Sequence, residues 1–196
     1  MLRRYSSLDE QPAYQTNGQT FRVYKRSPFG LTLPELFAHS RNFGDREFLV
    51  YEDERFTFEE TFAQVDAIGS ALVNDYGVEK GDRVAVSSRN YPEWCIAFMA
   101  AASVGAIVVP VNSLWNGDEL EYGMNDSGTK VLFCDQERLE LVAPLLGDRC
   151  PGLKTVVALR ASDVYALSKY DLARFFGACP ALRHALLLEP RLRLRL

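Results

Sequence analysis

From Arg83 to Leu159, four short apolar runs alternate with three helical segments over short links. The runs RVAVS (83–87), AIVVPV (106–111), KVLFC (130–134) and TVVAL (155–159) read as strands. AIVVPV is continuous rather than alternating, as in a sheet covered on both faces, and is expected among the most buried strands. Between the strands, Asn90 is expected to cap a helix with Pro92 in its first turn, apolar on every side and therefore buried. Asn116 with Glu119 caps a second helix ending near Gly128, and Glu137 to Leu146 forms a third. The order β-α-β-α-β-α-β predicts an α/β fold: a layered, mainly parallel sheet with flanking helices and right-handed crossovers.

Upstream, helix starts are equally legible. Thr32 with Glu35 is a capping box opening a helix to about Asn42, before Gly44. Glu47–Tyr51 and Glu54–Phe58 flank an acidic turn and predict a β-hairpin. A second capping box, Thr57 with Glu60, opens a helix with Phe58, Phe62, Val65, Ile68, Leu72 and Tyr76 at helical spacing, stopped by Gly77. Residues 1–30 read as an N-terminal extension, 31–177 as the domain, and 178–196 as an atypical basic tail. Tyr165 to Phe176 is expected to be helical. From Pro180 to Leu196 there are four Arg against one Glu, in an Arg/Leu alternation compatible with a strand or an arbitrary reading-frame tail.

Charge and composition narrow the function classes. The net charge of −4 gives no general attraction for nucleic acid. Cys95, Cys134, Cys150 and Cys179 form no C-x-x-C pair and no zinc spacing, and read as reduced thiols of a cytoplasmic protein, with peroxisome and mitochondrion left open. The N-terminus is basic for four residues with no apolar region after it, unlike a secretory signal. Trp94 to Val111 is an almost unbroken run of apolar or small residues, just long enough to suggest a membrane span. Gly105 and Pro110 interrupt it, so a buried helix followed by a strand is expected, with no transmembrane segment.

Gly123 to Lys130 reads GMNDSGTK, close to the G-x-x-x-x-G-K-[ST] phosphate loop. Thr129 separates the second glycine from the lysine. The segment also runs from helix into strand, which presents carbonyls rather than amides to an anion. Gly128 is expected to be a helix C-cap. His39 reads as a surface or boundary residue, and His184 falls in the tail. The carboxylate pairs Asp9/Glu10, Asp53/Glu54 and Glu59/Glu60 read as solvated turns or first helical turns. No catalytic, cofactor-binding or metal-ligating residue is nominated.

The order of signals carries more than any one. RFTFEET, then GVEKGDRVAVSSRNYPEW, then AAASVGAIVVPVN, then DELEYGMNDSGTKVLFCD resembles the N-terminal part of the adenylate-forming superfamily. RFTFEET resembles its first core motif, with Phe58 where Tyr is commoner, and AAASVGAIVVPVN its second. The NSLWNGDELEYGMNDSG variant is most similar to fatty-acid and related acyl-CoA synthetases. The resemblance covers Leu31 to Leu159 and extends toward Gly177. It implies a two-step ligase using ATP, Mg²⁺ and CoA: a carboxylate displaces pyrophosphate from ATP, and CoA thiol then displaces AMP from the acyl-adenylate. The family's Ser/Thr/Gly-rich phosphate loop, Tyr-Gly-x-Thr-Glu segment, ribose-binding Asp and mobile C-terminal Lys have no counterpart in these residues. Arg138 falls near the CoA nucleotide of a full enzyme by resemblance, whereas the local sequence favours a solvated arginine at a helix start.

The expected protein is thus a truncated acyl-CoA synthetase-like chain, inactive alone and holding no cofactor itself. The alternatives are a regulatory module pairing with a full-length synthetase, or one half of a split ligase completed by a second chain.

Overall fold

The computed structural model describes residues 14–16, 19–21 and 32–160. The expected helix at 165–176 and the tail 178–196 lie outside them. The chain divides into two compact units, Met1–Asn42 and Phe43–Leu196. In the first, β1 (Tyr14–Thr16) and β2 (Gln19–Phe21) pair antiparallel. Helix α1 (Leu33–Ser40) opens on the expected capping box, with the Thr32 hydroxyl accepting from Glu35 N and Glu35 accepting from Thr32 N. A 3₁₀ turn, Arg41–Phe43, replaces the last expected α-helical residues.

The second unit begins with the antiparallel hairpin β3 (Glu47–Tyr51) and β4 (Glu54–Thr57). The second capping box then starts α2 (Phe58–Asn74), so the strand ends at Thr57, one residue earlier than expected. Phe58 stacks on Phe48 with ring centroids 4.1 Å apart, so α2 and the hairpin share an aromatic seam. Phe62, Val65, Ile68 and Leu72 form the buried stripe of α2, and this stripe packs on α3 (Pro92–Ser103).

Four parallel strands make the main sheet: β5 (Arg83–Ser87), β6 (Ile107–Pro110), β7 (Thr129–Asp135) and β8 (Thr155–Leu159). Their spatial order is β6-β5-β7-β8. The links are α3, then α4 (Gly117–Ser127), then α5 (Gln136–Val142) with a 3₁₀ turn, Ala143–Leu145. Leu120, Met124, Leu139 and Val142 from α4 and α5 share one buried cluster with Ala85, Leu132, Cys134, Val156 and Ala158. Helices α4 and α5 therefore cover one face. Helix α3 lies against β5 and β6.

Two expectations are corrected. AIVVPV is not among the most buried strands: β6 is an edge strand, Ile107 is 55% exposed, and Pro110 is exposed. A strand's neighbours, not its apolarity, decide its burial, and β6 pairs only with β5. Pro110 was the available signal, because a residue without N–H is confined to sheet edges or bulges. Nor does Asn90 cap α3. Proline restricts the residue before it to extended backbone. Tyr91 therefore takes φ −84°, ψ 158° and becomes the N-cap, with no side-chain cap bond.

Candidate functional site

Parallel sheets offer ligand crevices at the carboxyl ends of strands whose connections depart in opposite directions. Here β5 connects outward to β6 and β7 outward to β8, so the crevice lies between the ends of β5 and β7. The residues there are Ser87 at the end of β5, Ser88 and Arg89 after it, and Asp135 and Arg138 at the start of α5.

Asp135 and Arg138 fill this position. Each is only 4% exposed. Arg138 Nη1 donates to Asp135 Oδ1 at 2.8 Å and Oδ2 at 2.9 Å. Asp135 caps α5 by accepting from Arg138 N at 3.2 Å, and takes Arg89 N from the β5 loop at 2.8 Å. Arg138 Nε reaches the Ser113 carbonyl beyond β6 at 2.7 Å, and Nη2 reaches Glu137 at 2.6 Å. One buried ion pair thereby ties the loops after β5, β6 and β7. Burial opposes the guanidinium charge, but hydrogen bonds to Asp135 and Glu137 outweigh it and raise the Arg138 pKa. Arg138 is therefore not the solvated arginine the local sequence favours. The missed signal is Asp135, whose N-cap preference brings its carboxylate back onto the residue three positions later.

The phosphate-loop look-alike has structural duties throughout. Asn116 caps α4 with Glu119 as expected, and Gly128 is the left-handed C-cap at φ +64°. A Cβ on Gly128 would lie 2.8 Å from Arg83 Nη2, and one on Gly123 2.7 Å from the Trp115 ring. Arg83 donates to the carbonyls of Ser127 and Gly128 at 2.9 and 3.0 Å, a cation set against a helix C-terminus. Lys130 binds Asp82 at 2.7 Å and the Gly77 carbonyl at 2.6 Å. The segment is a carbonyl-presenting helix end already neutralised by arginine.

The other sequence candidates stay apart. His39 is exposed on α1. Glu60 serves its capping box. Glu54, read as a solvated turn residue, instead pairs with Arg160. Cys134 and Cys150 are buried free thiols, and burial pushes both upward in pKa, away from thiolate reactivity. His184 and Cys179 lie outside the described residues. Among the described residues no cluster of three His, Cys, Asp or Glu side chains is placed to hold a metal, and no helix is long and apolar enough to cross a membrane.

Residues 36–175 match the family model described as AMP-binding enzyme. The chain belongs to this family. It is 34% identical over 122 residues to the mouse medium-chain acyl-CoA ligase ACSF2, mitochondrial, covering 61% of this chain and 20% of that protein. It is 29% identical over 162 residues to fatty acyl-CoA synthetase A of Dictyostelium discoideum, covering 79% and 22%. Among solved structures it resembles the anthranilate CoA ligase AuaEII in complex with anthranoyl-AMP, with TM-score 0.63 and 26% identity over 68% of this chain and 26% of that one. A putative long-chain-fatty-acid CoA ligase from Rhodopseudomonas palustris CGA009 gives TM-score 0.61 and 30% identity, covering 68% and 34%. The chain spans about a fifth of the length of these curated relatives.

Members of this adenylate-forming family bind ATP. Asp135 and Arg138 are engaged by the loops they join, and the glycine-rich segment faces carbonyls toward Arg83.

Proposed function

We propose that this chain is the N-terminal sheet subdomain of an acyl-CoA synthetase-type ligase acting on a fatty or related carboxylic acid, and that it contributes scaffold rather than chemistry. The observation carrying the reading is the Asp135–Arg138 lock at the sheet's carboxyl edge. The position where an α/β sheet takes its ligand is here filled by a pair bonded to three loops. Its relatives, a medium-chain acyl-CoA ligase and a fatty acyl-CoA synthetase among them, support an acid–CoA ligase as the parent activity. On this reading, ATP and CoA are held by residues other than the described ones.

The test is pyrophosphate release from ATP by the purified chain across medium-chain, long-chain and aromatic acids. No acid-dependent release above a no-protein control is expected. Release that depends on the acid and vanishes in a heat-treated sample overturns the scaffold reading.

A further inference from the structure

Arg160, the residue after β8, joins three parts of the second unit. Its Nη1 and Nη2 donate to the two carboxylate oxygens of Glu54, on the β3–β4 hairpin, at 3.0 and 2.5 Å. Its Nε donates to Glu93, in the first turn of α3, at 2.9 Å. Its guanidinium carbon lies 5.1 Å from the Tyr51 ring centre and 4.9 Å from that of Tyr91. Those two rings meet edge to face at 5.4 Å. The Glu93 side chain is only 3% exposed, so removing the cation strands a buried carboxylate. The Arg160 backbone sits at φ +49°, a left-handed conformation uncommon for a side chain of this size. Such conformations persist where surrounding contacts hold them.

We infer that Arg160 is a coupling residue, making the docking of the β3–β4 hairpin and the left-handed backbone at the end of β8 a single conformational event. The fork that grips Glu54 is also what holds the left-handed turn after Leu159. Free-energy coupling between two sites is reciprocal. Loosening the hairpin therefore loosens the end of β8, and loosening the backbone at Arg160 loosens the hairpin. Local sequence cannot produce this link, since Glu54 and Arg160 are 106 positions apart.

Amide hydrogen exchange on the 1–196 chain tests it with two variants. Arg160→Gly removes the fork while tolerating the left-handed backbone, and should speed exchange in the hairpin by about tenfold while β5 and β7 keep their protection. Glu54→Gln alters only the hairpin, and should speed exchange at Ala158–Arg160 as well. The inference is overturned if Glu54→Gln affects the hairpin alone, if Arg160→Gly leaves hairpin exchange within twofold of the parent, or if exchange rises equally in every strand. Should Arg160→Gly fail to fold, Arg160→Lys keeps the charge but cannot grip Glu54 with a fork, and is judged by the same outcomes.

Discussion

Arg138 occupies a first-turn helix position that ordinarily faces water, yet here it is buried against Asp135. Breaking a buried pair by removing one partner leaves an uncompensated charge and costs roughly 3–5 kcal/mol. Arg138→Met and Asp135→Asn should each lower the urea midpoint steeply. The double variant should recover part of the loss, because no buried ion then stands alone; a double-variant loss equal to the sum of the two single losses would show that the pairing contributes nothing.

Asp82 makes a different residue-scale prediction. Its backbone hydrogen bond from Glu79 N, with the Lys130 bond second, holds its carboxyl below the usual carboxylate range. A depressed folded pKa contributes stability above the unfolded value, about 3.9, and loses it as pH falls through the folded value. Asp82→Asn should narrow the stability difference between pH 6 and pH 3. The gain is modest, because the Asp82 and Lys130 side chains are about a quarter to a third exposed. An unchanged acid limb in the variant would rule the linkage out.

At the scale of elements, β6 and β7 look alike as sequence, but only β7 is paired on both sides. Ile107→Thr on the edge should change stability by under about 0.5 kcal/mol, whereas Leu132→Ala in β7 should cost roughly 2–5 kcal/mol. Thermal or urea melts of the two variants compare them directly, and similar losses would place β6 in the interior. Gly128 illustrates a local requirement that sequence did reveal. Gly128→Ala places a Cβ at a left-handed position and 2.8 Å from Arg83 Nη2, so it should destabilise by more than the ~1 kcal/mol of an ordinary cap loss.

The whole molecule exposes apolar side chains in separate places: Val50 on the hairpin, Ile107 on the edge strand, Leu114 (72% exposed) in the loop beyond it, and Tyr122 on α4. A sheet edge with exposed apolar side chains is a template for association. The chain by itself should bind a hydrophobic dye and self-associate at micromolar concentration, by light scattering. A monodisperse monomer without dye binding would show that these surfaces are compatible with a stand-alone module.

From Thr32 onward the strands, the helices and three capping boxes were legible because their rules act within three or four residues, whereas the β1–β2 pair was not read from the sequence. Thr32 reaches Glu35, Thr57 reaches Glu60, and Asn116 reaches Glu119. The order of motifs likewise carried the family, which is a property of succession along the chain. The order β6-β5-β7-β8 was decided in three dimensions, and it alone made β6 an edge and opened the β5–β7 crevice. The contacts that fill and brace that edge join Arg89 to Asp135 across 46 positions and Glu54 to Arg160 across 106. Periodicity records which face of an element is apolar, but not which other element will meet it. That choice belongs to packing, where burying a charge requires a partner from whatever strand lies alongside.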